Sequence, residues 1–229
     1  MKLIKPYYEI LTPINGDEIL KTIERVARTC YKSEDKINED SAQKITKSLI
    51  EKHQEAMIEF YDIIVKFVCD RGVSHEIVRH RLASYAQEST RYCNYSKDKF
   101  DNQITFVIPC WCNTIIEGDE NNQKDVSLMD FAWLSAMQHA EFTYNQLIKP
   151  ENWYPKQPIA SAWQPQQARA VLPNSLKTEI NVKMNLREWR HFFKLRTSPA
   201  AHPQMREITI PLLIDFKNKI PIIFDDIIV

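Results

Sequence analysis

The chain has 229 residues, 44% hydrophobic and 26% charged, enough to bury one sizeable core and fitting a single domain over residues 1–229. Lys+Arg and Asp+Glu are both 30, which argues against a general nucleic-acid binder, because counterion-release affinity goes with a basic domain or stripe. No apolar run reaches the roughly 18 residues of a membrane span, and the three glycines, Gly16, Gly72 and Gly118, are too scattered for a G-x-G-x-x-G turn or a Walker A loop, so side chains must hold any bound phosphate.

The start, MKLIKPYYEI, has neither the apolar core nor the cleavage site of a secretory leader, so the cytoplasm is the expected compartment. KLIKPYYEIL reads as a strand and GDEILKTIERVARTCYKS as an amphipathic helix with Ile19, Leu20, Ile23, Val26 and Ala27 on one stripe. SAQKITKSLIEKH predicts a second helix, and the β-branched and aromatic IEFYDIIVKFVCD a strand. RGVSHEIVRHRLAS reads as a helix capped by Ser74. ITFVIPC predicts a strand, NTIIEGDENNQKD a loop, and VSLMDFAWLSAMQHAEFTYNQLI a long core helix ended by KPENWYPKQP. IASAWQPQQARAVLP reads as an interrupted helix, TEINVKMN as a strand, LREWRHFFKLR as a helix and HPQMREITIPLLIDFKNKI as a closing helix around Pro211. Without regular βαβ alternation, the expected class is α+β with a largely antiparallel sheet flanked by helices. The five cysteines are odd in number and irregularly spaced, which favours reduced thiols; Cys110-Trp-Cys112 lacks the partners of a zinc site, so no metal is expected.

Positive charge is concentrated locally. Arg79, His80 and Arg81 are consecutive, and on a continuous helix the first and third would point about 200° apart, so either the helix ends there or two binding surfaces meet. A solvated helix end is the plainer alternative. Gln87, Glu88, Ser89 and Arg91 follow, a group able to hydrogen-bond a phosphate without glycine, or to form an ordinary hydroxyl-containing turn. Downstream, Arg187 and His191 are four apart and share a helix face, while Arg196, nine residues beyond Arg187, lies half a turn round. Trp189, Phe192, Phe193 and Leu195 read as packing residues, and His139 and His202 as structural or surface ones.

Arg79-His80-Arg81, seven residues and Ser89, together with ARAVLP around Arg169 and the series Asn185, Arg187, His191 and Arg196, resemble the flavin-dependent thymidylate synthases over most of the chain. The resemblance implies a homotetramer with active sites at subunit interfaces, FAD as cofactor, and conversion of dUMP to dTMP with methylenetetrahydrofolate as carbon donor and NADPH as reductant. By motif position it implies that Arg79, His80, Arg81, Gln87, Asn185, Arg187 and His191 contact FAD. Glu76, Arg79, Gln87, Glu88, Ser89, Arg91, Arg169 and Arg196 would hold dUMP. Bond formation at uracil C5 pushes negative charge onto the ring, so the permanently charged Arg196 is the expected catalytic group. The chain departs from the family where an H-x-S/T-x-x-E-H segment is usual: Gln54, Ala56 and Phe60 stand there, with Glu59 kept. A weakened flavin- or nucleotide-binding protein and a phosphate-reading nucleic-acid module are the competing classes, the second disfavoured by the neutral charge.

Overall fold

The computed structural model describes residues 1–119, 121, 123–153 and 161–229. In chain order the strands are β1 (Lys2–Ile4), β2 (Tyr7–Ile10), β3 (Asp62–Asp70), β4 (Ser84–Gln87), β5 (Thr105–Val107), β6 (Gly118–Asp119) and β7 (Lys177–Asn185). The helices are α1 (Gly16–Tyr31), α2 (Ser41–Glu51), α3 (Arg71–Ile77), α4 (Leu128–Ile148), α5 (Pro165–Ala168), α6 (Leu186–Arg196) and α7 (Pro203–Lys219). Hydrogen-bonded strand orders are β5-β1-β6 and β2-β3-β7-β4, with β1 parallel to β5 and antiparallel to β6. This is a mixed helix-and-sheet fold with antiparallel pairing and at least one parallel pair.

The chain divides into two compact units, each assembled from three segments. The first comprises Met1–Tyr7, Val68–Ile77 and Gln87–Ile180. Its core gathers Leu3, Ile104, Phe106, Ile108, Leu134, Met137, Tyr144 and Leu176, so α4 packs its apolar stripe where the sequence expects a core helix. The second comprises Tyr8–Phe67, Val78–Ala86 and Asn181–Val229. Its core is aromatic: Phe67, Trp189, Phe192, Phe193, Phe216 and Phe224 are fully buried, with the Trp189 and Phe216 rings 5.3 Å apart. Gly16 opens α1 in this unit because a Cβ there would stand 2.5 Å from the Lys219 carbonyl oxygen.

Several expected boundaries move for local reasons. The opening strand splits at Pro6, which has no N–H for a ladder. The strand expected from Ile58 starts at Asp62, because Glu55–Phe60 coils as a 3-10 turn. Only Pro165–Ala168 of the expected helix over 159–173 is α-helical, followed by a 3-10 turn at Arg169–Val171; its first two residues lie outside the described ones. β4 begins at Ser84, the last residue of the expected helix over 71–84, and runs on to Gln87, for which no strand is expected; β6 falls in the polar 113–125 segment. α3 is capped by Asp70, whose Oδ1 accepts from the Val73 N–H at 2.7 Å, while Ser74 lies inside the helix and donates to the Arg71 carbonyl. α3 ends at Ile77, so Arg79, His80 and Arg81 lie on the connection before β4 and not on a helix.

Candidate active site

α6 organises the polar chemistry of the second unit. Asn185 caps it, its Oδ1 accepting from the Glu188 N–H at 2.9 Å. Trp189, Phe192 and Phe193 anchor the helix in the core, and the Trp189 indole donates to the Ile63 carbonyl. With that face fixed, Arg187, Glu188, His191 and Lys194 line a cavity of about 810 Å³. Glu55, Glu59, Asp62, Arg81, Lys183 and Asn185 complete its polar wall. Arg187 pairs with Glu59 at 2.5 Å and Lys183 with Asp62 at 2.6 Å, and Lys194 stands 4.0 Å from Glu55. Among the described residues Arg81 makes no ion pair and is exposed.

α6 also meets His80, through Glu188, Phe192 and Arg196. Arg196 Nε lies 3.0 Å from His80 Nε2, and His80 Nδ1 lies 3.3 Å from Glu188 Oε1. A guanidinium N–H can only donate, so Nε2 accepts and carries no proton; the neutral ring's one hydrogen is on Nδ1, facing the carboxylate. Burial, then the Arg196 and His191 charges, push the His80 pKa down to about 4. The Phe192 ring edges against the imidazole with centroids 4.9 Å apart, and the Tyr85 hydroxyl donates to the His80 carbonyl at 2.5 Å. Burial raises the Glu188 pKa, with the His191 charge opposing.

His80, Glu188 and His191 present ligand atoms within 4.8 Å of one another, the spacing of a three-ligand metal site. The hydrogen bonds oppose that use. A metal on Nδ1 while Arg196 donates to Nε2 would require both ring nitrogens deprotonated, an imidazolate.

Arg190, singled out by no motif, is buried beneath the same helix. It donates to Glu55 at 2.9 Å, to Asp226 at 2.6 and 2.8 Å, and to the Ile223 carbonyl, tying the C-terminal segment to α6.

In the first unit, the Gln87 amide donates to Ser74 Oγ at 2.9 Å and to Thr178 Oγ1 at 3.2 Å. Glu88 accepts from the Tyr95 hydroxyl at 2.9 Å and from Lys177 at 3.0 Å. Burial works against the Lys177 charge, but the Glu179 and Glu88 contacts outweigh it and raise its pKa. Ser89 forms a turn, its carbonyl accepting from the Tyr92 and Cys93 N–H groups, and the Arg91 side chain is exposed beside Tyr92. Arg169 donates to Thr90 Oγ1 at 3.1 Å, which brings the ARAVLP arginine onto the same loop. Glu76 is half-buried in the last turn of α3.

Thus Arg81, Asn185, Arg187 and His191 share one cavity, His80 joins Arg196, and Gln87, Glu88, Ser89, Arg91 and Arg169 gather in the first unit, each with its own neighbours. Arg79 is exposed on the α3–β4 connection. Gln54 and Ala56 do not line the large cavity. They face a separate, mostly apolar one of about 300 Å³ with Cys30, Leu49 and Met57, and Phe60 is exposed. The sequence reading missed Glu188, Lys183, Lys194, Lys177 and Tyr85. Glu188 was findable: it stands eight residues before Arg196, about 80° round a helix, so both can reach one partner.

A profile of the family described as "Thymidylate synthase complementing protein" matches residues 14–222. The chain belongs to this family. Curated relatives described as "Flavin-dependent thymidylate synthase" include one from Pyrococcus abyssi, 30% identical over 201 residues covering 85% of this chain and 72% of the relative. Another, from Corynebacterium glutamicum, is 29% identical over 222 residues, covering 94% and 81%. Among solved structures, a UMP/dUMP methylase, PolB, from Streptomyces cacaoi bound with 5-Br dUMP superposes with a TM-score of 0.73. Identity is 17%, and the match covers 98% of this chain and 96% of that one, a likeness of fold.

Proposed function

We propose that this chain is a flavin-dependent thymidylate synthase that converts dUMP to dTMP by reductive methylation. The observation that carries the reading is family membership across 14–222 together with Arg196, the expected catalytic group, held by a defined acceptor. The polar cavity fits a flavin dinucleotide: at about 810 Å³ it has the size of a cofactor site. Its cations Arg81, Lys183, Arg187 and Lys194 suit a pyrophosphate, and three of its four carboxylates already face Lys or Arg. When bound, the reduced flavin supplies the hydride.

This chain's residues do the rest by binding and electrostatics. Arg79, Arg81, Asn185, Arg187 and His191 hold the cofactor, with His80 and Gln87 completing its surroundings. Glu76, Gln87, Glu88, Ser89, Arg91 and Arg169 bind dUMP through phosphate and sugar, and Arg79 serves both ligands. Arg196 aims fixed positive charge at the uracil as negative charge develops on its oxygens and N3. No cysteine nucleophile is needed, and Ser89 is a binding group, its Oγ accepting from the Arg91 N–H. Methylenetetrahydrofolate gives the carbon and NADPH the reducing equivalents. The proposal extends to a single domain over 1–229 acting as a cytoplasmic homotetramer with the 79–91 stretch at subunit contacts. No helix among the described residues is long and apolar enough to cross a membrane.

Purified protein tests the reading: it should carry FAD absorbance and form dTMP from dUMP, methylenetetrahydrofolate and NADPH. Bound flavin with no dTMP in all conditions would instead establish a binding protein.

A further inference from the structure

We infer that His80 is a positioning residue for Arg196: a neutral imidazole, oriented by Glu188, whose Nε2 accepts from Arg196 Nε and fixes the direction of the guanidinium. This assignment rests on the proposed reaction for its functional consequence, but its structural part stands on the chain alone. His80 is buried, and both ring nitrogens are engaged by α6 residues, Arg196 at 3.0 Å and Glu188 at 3.3 Å. Those two residues stand two turns apart on one rigid helix, and the Phe192 ring between them closes over the imidazole.

The arrangement has a directional logic. Arg196 has five N–H donors and no acceptor, so its orientation depends on which acceptors surround it. His80 offers one acceptor only if its proton sits on Nδ1, and Glu188 holds it there. Were the proton on Nε2, that N–H would face the Arg196 N–H donor to donor, and the guanidinium would turn away. Protonation of both nitrogens would do the same and set two cations together. The charged and titratable groups facing the ring are Glu188, His191 and Arg196 from α6, with the Tyr85 hydroxyl of β4 on its backbone carbonyl. His80 is therefore distinguished from Arg81 and Arg187, whose side chains line the open cavity.

The test combines spectroscopy with kinetics on the full-length enzyme. In nitrogen-15 NMR of histidine-labelled protein, with the His80 signals identified by their loss in His80→Gln, wild type should show the Nδ1–H tautomer at pH 7, and Glu188→Ala should redistribute the proton towards Nε2. A wild-type Nε2–H tautomer or imidazolium overturns the inference whatever the activity. In turnover, His80→Gln keeps an acceptor near the Nε2 position, whereas His80→Asn is too short. His80→Asn should lower kcat per bound flavin about 100-fold with the KM for dUMP changed less than about threefold. His80→Gln should recover at least about tenfold of that loss. Equal loss of kcat per bound flavin in both variants would leave the bond to Arg196 without a role and contradict the assignment. If wild type makes no dTMP, the reaction fails while the tautomer measurement still decides the relay.

Discussion

Arg196 Nε donates to the unprotonated Nε2 of His80 across 3.0 Å, joining two residues 116 positions apart in the chain. The bond fixes the tautomer of one residue and the orientation of the other. It also makes Arg196 specific as an arginine, since a lysine ammonium has neither the Nε–H nor the planar fork. Arg196→Lys should therefore lower kcat by about 100-fold or more even though the charge is kept. Steady-state dTMP formation by the folded, flavin-loaded variant measures it.

The depressed His80 pKa links stability to pH. The unfolded ring takes a proton near the ordinary value of 6.5 and the folded ring only near 4, so the unfolded state binds more protons between those values. This contribution is fully present above pH 6.5 and is lost as pH falls towards 4, amounting to roughly 3 kcal/mol. Urea midpoints should fall over that window in wild type, and less steeply in His80→Gln.

Arg190 is fully buried among two carboxylates and a carbonyl. Removing it vacates a buried volume and leaves the partly exposed Glu55 and Asp226 with Lys194 at 4.0 Å from each, so Arg190→Ala should destabilise by about 2–4 kcal/mol. Arg190→Met, which refills the space, should cost less. Chemical denaturation of both variants checks the order.

Arg187 and Glu59 form a close but exposed pair, 54% and 42% accessible, and such pairs add little to stability. Arg187→Ala should leave the thermal midpoint of the apoprotein within about 2 °C while weakening FAD binding about tenfold or more. Flavin titration beside calorimetry separates the two effects.

Arg169 is tied to the 88–91 loop through Thr90. Arg169→Ala should raise the KM for dUMP about tenfold with flavin content intact, as read by substrate titration of the loaded enzyme.

What could be read in the sequence depended on how local its cause was. α1, α2, α4, α6 and α7 follow from apolar periodicity, and the half-turn between Arg187 and Arg196 places them as found, one in the cavity with His191 and the other on His80. The α3 cap differs from the expected one because Asp70 and Ser74 both have capping side chains, and the end of β3 at Asp70 decides between them. β4 escaped because Ser84–Gln87 is short and lacks β-branched residues, so its pairing partner and not its propensity makes it a strand. Glu188 belongs to no motif: its backbone N–H serves the Asn185 cap, while its carboxylate faces His80, 108 positions away in the chain, a contact no local pattern shows.

The central claim, that this chain makes dTMP with Arg196 as the catalytic cation, is tested most directly by complementation of a thymidine-requiring strain. Wild type should restore growth without thymidine and Arg196→Ala should not, at equal expression. Folded, expressed wild type that fails to rescue, or an Arg196→Ala variant that rescues as well, would contradict the account.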